Sequence, residues 1–321
     1  MSLKQKKPRS NSAKPGGLGN PAKKAKPMKS PIRSDLYSDA SVEELRSQHD
    51  NSGPYRHITI DGLCDESRMR AVHEEAINTM KTNFKETDLF KVYQTGDLMS
   101  LDSEPKKARL VPELLSLRSA LYSKEFREFV SKITGVSDLT DRCDCSGNAY
   151  TQGCHLLCHD DVIGTRRVSY IIYMTDPDDD FTAEDGGSLE LYPLDPKTIT
   201  MTPIEKDNYM SELEQGIPTN VPTKKILPHF NRMALFTVQP GRSYHSVEEV
   251  YTSEKVRLSI SGWYHGPCPP LGSDQASLAQ VMNAGNRVAN HTLYPTLTEI
   301  LQEKYRQTQV IQKEQTKEKK K

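Results

Sequence analysis

The stretch Leu156-Leu157-Cys158-His159-Asp160-Asp161, followed by Arg167-Val168-Ser169-Tyr170-Ile171-Ile172-Tyr173-Met174, decides how this chain is read. The second run is dense in β-branched and aromatic residues, the composition of a pleated, half-buried strand. Side chains at i and i+2 of a strand share a face, so His159 and Asp161 are expected together, with Asp160 turned away. His245 follows 86 residues after His159, in another strand-like segment, and supplies a third candidate ligand. Two imidazoles and one carboxylate on one side of a metal leave its other positions open, the donor set of non-haem Fe(II) oxygenases. Beyond His245, Arg257 and Ser259 also alternate onto one face. A forked guanidinium beside a hydroxyl suits the carboxylate of an organic-acid cosubstrate.

Working outward, a period of two begins near Arg142. Residues 148–152, 167–174, 188–192, 233–238, 244–250 and 256–263 read as strands, with Asp185-Gly186-Gly187 and Pro240-Gly241 as turns. Helical patterns do not alternate with them, which argues against a parallel sheet. The expected architecture is α+β, a closed or sandwiched antiparallel barrel with helices on one side. The helices lie upstream, at 41–46, 67–81, 111–121 and 124–133, with a strand at 57–60. Residues 195–230 are polar and Pro-rich and read as a long surface insertion that could edge the site. The expected division is a basic arm at 1–34, an α-rich front at 35–140, the barrel at 141–270, and 271–321 beyond it.

Charge balances at 43 basic against 43 acidic residues. Its distribution does not: residues 1–34 carry ten Lys/Arg and no Asp or Glu. Such a segment buries too little apolar surface to order itself, and it is read as a disordered arm. Its Pro21-Ala22-Lys23-Lys24-Ala25-Lys26-Pro27 run resembles a nuclear-localisation or nucleic-acid-contacting patch, against the plainer alternative of a solubilising tail. Contact with nucleic acid is expected only indirectly or through this arm. No stretch approaches the apolar length of a membrane span, so an intracellular protein with no membrane partner is expected, in cytoplasm and nucleus.

Sulfur offers a competing metal reading. Cys143-x-Cys145 and Cys154-His155-x-x-Cys158-His159 could form a small zinc site, although this spacing matches none of the common zinc modules. Buried cysteine is equally an ordinary small hydrophobe. Tyr173 could donate to a bound carboxylate or be a half-buried strand aromatic, and Tyr150 and Leu156 could line the same pocket. Trp263 shares the face of Arg257 and Ser259 and is adequately explained as packing.

At these residues the sequence resembles a known family. Leu156 to Asp161, Arg166-Arg167 with Tyr173, Asp185-Gly186-Gly187-Ser188-Leu189-Glu190-Leu191-Tyr192, and Arg257-Leu258-Ser259-Ile260-Ser261-Gly262-Trp263-Tyr264-His265-Gly266-Pro267 resemble the OGFOD-type prolyl hydroxylases. Phe84 to Thr87 and Tyr93 to Leu98 resemble them upstream, so the likeness spans about residues 36–267. The resemblance implies a double-stranded β-helix, a jelly-roll or cupin-like barrel, behind the α-rich layer. It implies Fe(II) on His159, Asp161 and His245, with 2-oxoglutarate on Tyr173 and Arg257 and with Tyr150, Leu156 and Ser259 nearby. It implies O2 as co-reactant, ascorbate as a supporting reductant, and 3-hydroxylation of a proline in a small-subunit ribosomal protein, with effects on translation and stress responses. Family members usually carry a second, non-catalytic barrel. Here 271–321 reads as the start of that region ending in a Lys-rich tail. A module that keeps the fold and binds ribosomes without turnover is the alternative from another class.

Overall fold

The computed structural model describes residues 29–206 and 209–273. Most of the expected basic arm and almost all of the expected tail lie outside the described residues. The fold starts earlier than charge alone predicts: Ile32 is buried, bridges Cys64, and packs in the main core.

Among the described residues there are five α-helices and thirteen strands. They are α1 (Asp39–Asp50), β1 (His57–Asp61), α2 (Glu66–Thr79), β2 (Asn83–Glu86), β3 (Phe90–Asp97), α3 (Pro105–Ala108), α4 (Pro112–Leu121) and α5 (Lys124–Thr134). Then come β4 (Cys143–Tyr150), β5 (His155–His159), β6 (Arg166–Tyr173), β7 (Leu189–Leu191), β8 (Thr200–Lys206) and β9 (Tyr209–Gln215). The last are β10 (Lys224–Ile226), β11 (Arg232–Thr237), β12 (His245–Val247) and β13 (Arg257–His265). Among the described residues no helix is long and apolar enough to cross a membrane.

The helices have local causes. Ser38, Asp65 and Ser123 cap α1, α2 and α5 by accepting the backbone N–H three residues on, and Gly135 ends α5 in the left-handed conformation at φ 73°. Phe126, Phe129, Val130 and Ile133 recur at helical spacing on α5, as do Leu114, Leu117 and Leu121 on α4, and all are buried. Burying a side chain of this size contributes roughly 1.5–3 kcal/mol.

The main sheet runs β1-β11-β6-β13-β4-β3-β5-β12-β7-β10, with β2 hydrogen-bonded to β3. Every pairing is antiparallel. The sheet curls because β3 pairs with both β4 and β5, giving the double-stranded β-helix. Its two faces separate cleanly. Val168, Tyr170 and Ile172 of β6, Met233 and Leu235 of β11, and Leu258, Ile260 and Tyr264 of β13 meet the helices. The alternate residues point into the curl: Tyr173, Ala234 and Phe236 form a second cluster there, and Arg257, Ser259, Ser261 and Trp263 line a cavity. Gly262 is needed on the helix side. A Cβ there would lie 1.8 Å from the Asp144 carbonyl oxygen, to which the Tyr170 hydroxyl donates at 2.8 Å.

Three expectations change. The front half is richer in strands than expected: besides β1, which falls on the strand expected at 57–60, β3 is integral to the sheet and β2 forms a hairpin with it. The strand expected over 244–250 is reduced to β12. Residues 195–230 are not plain loop: β8 and β9 make a separate two-stranded sheet, and β10 pairs with β7. The foot of the β8–β9 hairpin reaches the site's edge, where Gln215 donates to the Pro240 carbonyl at 3.0 Å and the Gly216 N–H to that of Gly241 at 2.9 Å.

Candidate metal centre and anion pocket

β5 and β12 are paired so that His159 stands directly opposite His245, their ring centroids 4.2 Å apart. Asp161 completes the group: its Oδ1 lies 3.3 Å from His159 Nε2 and its Oδ2 lies 3.4 Å from His245 Nε2. These three are the one set of ligating side chains that gathers among the described residues, and all are buried. Each imidazole is aimed by its other nitrogen. His159 Nδ1 is 2.8 Å from the Leu157 carbonyl and His245 Nδ1 is 2.9 Å from that of Ser243. A carbonyl only accepts, so Nδ1 carries a proton, and in the neutral imidazole the Nε2 lone pair faces the shared centre. Burial penalises charge on Asp161, but the two imidazoles outweigh it and hold the carboxyl well below the usual carboxylate range. Burial likewise opposes charge on His159, yet hydrogen bonding and attraction from Asp161 leave the imidazole raised.

The three residues do gather, but not by the strand alternation expected of them. β5 ends at His159, and Asp161 follows in the left-handed region at φ 61°. Asp161 therefore returns to the histidines by a turn rather than by strand alternation. Asp160, expected to face away from the metal, is fully buried. Its carboxylate accepts the N–H of Val162 at 3.3 Å and of Gly241 at 3.1 Å, while its carbonyl accepts the Ser243 hydroxyl at 3.0 Å. Asp160 thus ties the turn carrying Asp161 to the loop leading into His245.

Further along the cavity, Arg257 is buried with its guanidinium carbon 4.8 Å from the Tyr150 ring centre and 5.1 Å from that of Tyr173. Its Nε donates to the Gly187 carbonyl at 2.7 Å and Nη1 lies 3.5 Å from Ser259 Oγ. Among the described residues it forms no ion pair with any carboxylate, and Nη2 has no partner at all. The buried Tyr173 hydroxyl, beside this guanidinium, likewise makes no hydrogen bond of normal geometry. Burial raises the phenol against the lowering influence of Arg257, so it stays a neutral donor. A buried cation and a buried hydroxyl left open side by side fit an anionic ligand. Tyr150, Leu156 and Ser259 line the same cavity as Arg257 and the histidines.

Other residues come into view only in three dimensions. Ser169 and Trp263 both donate to Asp161, at 2.6 and 3.0 Å, so the indole is more than packing. Arg166 stacks on that indole, its guanidinium carbon 3.4 Å from the ring centre. Gln94, Asn148 and Ser261 form a hydrogen-bonded chain on the cavity wall. The alternation of β13 already carried part of this signal, since it set Trp263 on the face of Arg257. The sulfur reading does not assemble. Cys143 and Cys145 sit on the helix side of β4 around Tyr170, Cys154 lies in another cluster, and Cys158 is exposed.

This site and sheet define the class. Residues 145–265 match the family model described as the 2OG-Fe(II) oxygenase superfamily, so the chain carries a domain of that superfamily. Its donor set fits the Fe(II) that the family implies, and the open Arg257 and Tyr173 fit 2-oxoglutarate, with O2 as co-reactant. Within the superfamily the chain is a homologue of the OGFOD1 prolyl hydroxylases. It is 45% identical over 234 residues to the prolyl 3,4-dihydroxylase OGFOD1 of Ostreococcus tauri, covering 72% of this chain and 42% of that protein. It is 30% identical over 275 residues to the mouse prolyl 3-hydroxylase OGFOD1, covering 80% of this chain and 44% of that one. It is 29% identical over 217 residues to the Drosophila melanogaster prolyl 3-hydroxylase sudestada1, covering 67% and 35%. The chain spans less than half the length of each of these relatives.

Proposed function

We propose that this chain is a 2-oxoglutarate- and Fe(II)-dependent dioxygenase that hydroxylates a prolyl residue of a protein substrate. One observation carries the reading: a buried guanidinium with a free N–H lines the same cavity as a His-Asp-His group, with a buried phenol lacking a hydrogen-bond partner packed beside that guanidinium. His159, Asp161 and His245 hold the iron on one side through Nε2, a carboxylate oxygen and Nε2. Arg257 and Tyr173 take the distal carboxylate of 2-oxoglutarate, Tyr150 covers the guanidinium, and Ser259 and Leu156 shape the pocket. Iron with 2-oxoglutarate and O2 supplies the oxidation that no side chain here can perform, the cosubstrate leaving as succinate and carbon dioxide. The protein orients the reactants and excludes water, with Ile171, Leu189, Phe236 and Val247 forming the apolar wall. Ascorbate supports activity as a reductant.

The names of the relatives support proline as target and position 3 as the site of hydroxylation. We read the substrate as a small-subunit ribosomal protein, with a role in translation and stress responses, and the basic residues before Ser34 as favouring presence in nucleus as well as cytoplasm. The test is mass spectrometry of candidate ribosomal proteins after incubation with the chain, Fe(II) and 2-oxoglutarate. The expected result is a gain of one oxygen on a proline. The reading is abandoned if there is neither that gain nor substrate-free succinate formation.

A further inference from the structure

Asp161 receives more hydrogen bonds than its place beside two histidines requires. The Ser169 hydroxyl donates to Oδ2 at 2.6 Å and the Trp263 indole N–H donates to the same oxygen at 3.0 Å. An oxygen accepting two hydrogen bonds has both of its lone-pair directions engaged. Oδ1 has only ion-pair neighbours, His159 Nε2 at 3.3 Å and Arg166 Nη1 at 3.6 Å, whereas Oδ2 carries both hydrogen bonds and also faces His245 Nε2 at 3.4 Å. The two donors are themselves set by the sheet, because β13 and β6 pair with Trp263 directly opposite Ser169. The indole is fixed by Arg166 stacked on its ring and by Val162 and Val238 packed around it. The left-handed turn at Asp161 then lowers the carboxylate onto this ready-made pair.

We propose that Ser169 and Trp263 are positioning residues that make Asp161 a one-oxygen ligand. By engaging Oδ2 they leave Oδ1 to the metal and keep free the coordination position that a two-oxygen carboxylate would cover. This rests on the reading of His159, Asp161 and His245 as a metal centre, and it assigns to two residues outside that triad the control of how many positions stay open.

The probe is Co(II), whose visible absorption reports coordination number without turnover, added to the full-length chain and to Trp263→Phe, Ser169→Ala and the double variant. Phenylalanine keeps an aromatic ring under Arg166 and removes the N–H together with part of the indole's bulk, while Ser169→Ala removes a donor with almost no loss of volume. Loss of hydrogen-bonding partners around a metal ligand typically weakens metal affinity about 10–100-fold. The double variant is expected to fall in that range, each single variant less. Its absorption should also weaken, because a second carboxylate oxygen raises the coordination number, and 2-oxoglutarate should bind the Co(II) form more weakly. A merely structural role would leave that spectrum unmoved. A folded double variant with wild-type Co(II) affinity and spectrum overturns the proposal. Should the double variant not fold, the spectra of the single variants decide by the same criterion. A wild-type chain that takes up no Co(II), or a His245→Ala variant that takes up as much, sinks the metal-centre reading and this proposal with it.

Discussion

The two ends of the cavity are built on opposite principles. Around Asp161 the polar groups that face the site are closed on one another: two imidazoles, a hydroxyl and an indole converge on one carboxylate. Around Arg257 the guanidinium keeps a free N–H and Tyr173 a free hydroxyl, though both are buried. Unpaired buried polar atoms cost about 1–3 kcal/mol each. The closed end therefore holds geometry in advance, while the open end stores an unmet demand for an anion. A metal centre needs its ligands placed before the ion arrives, and a cosubstrate that enters and leaves each cycle needs a place kept for it.

The widest gap between the two ends should appear on removing Asp161. Asp161→Ala should abolish metal binding in a Co(II) or Mn(II) titration and end 2-oxoglutarate turnover, yet leave an Arg257 pocket still structured. If metal binding persists, the closed end is not a metal centre. Next in size is Asp160. Asp160→Ala leaves the buried N–H of Val162 and the partly buried N–H of Gly241 short of an acceptor, so chemical denaturation should show a loss of about 2–4 kcal/mol, a fully buried unsatisfied donor costing ~1–3 and a partly buried one less. Metal affinity should fall with it, whereas Asp160→Asn, which keeps a carbonyl acceptor, should recover most of both. An Asp160→Ala protein as stable as wild type would restore the bystander role that strand alternation gives it.

Arg257→Lys probes the other end. The charge stays but the planar fork is lost, so 2-oxoglutarate affinity should fall about tenfold, worth ~1.4 kcal/mol, with metal affinity unchanged. Equal 2-oxoglutarate affinity in a calorimetric titration would remove Arg257 from the pocket. Tyr173→Phe should be milder, roughly fivefold for a neutral hydrogen bond of ~1 kcal/mol, and it should not destabilise the ligand-free protein because the hydroxyl has no partner to lose. The smallest effect concerns pH. His159 is raised in the fold, so its pairing with Asp161 adds stability to the metal-free protein that is complete below the unfolded imidazole range and is lost as pH rises through the raised folded value. Metal needs the same imidazole unprotonated. Thermal melts should thus show the stabilisation by Co(II) shrinking as pH falls through that range, and a pH-independent increment would mean His159 does not titrate against the metal.

Which parts were legible in the sequence follows from how local their causes are. β6, β11 and β13 announce themselves by alternation, and α4 and α5 by the spacing of Leu114, Leu117 and Leu121 and of Phe126, Phe129 and Ile133. The β2–β3 hairpin escaped because Asn83–Glu86 and Phe90–Asp97 are half-polar and half-buried, with little contrast between faces. β7, β10 and β12 are three residues each and hold their places by pairing rather than by pattern. At the site, His159, Asp161, His245 and Arg257 were readable from residue type and order. Asp160 and Trp263 were not, because their partners lie 81 and 102 residues away in sequence. The positive φ of Asp161 also has no signature in a His-Asp-Asp string.

The uncompensated guanidinium of Arg257 has a consequence beyond catalysis. A ligand that binds only the folded chain stabilises it by RT ln(1 + [L]/Kd), about 2.7 kcal/mol at a hundred times the dissociation constant. Marginal folds of this size are separated from unfolding by only some 5–15 kcal/mol. Supply of the dicarboxylate would then set how long a molecule survives as well as how fast it works, and the protein's lifetime would follow the cell's carbon status.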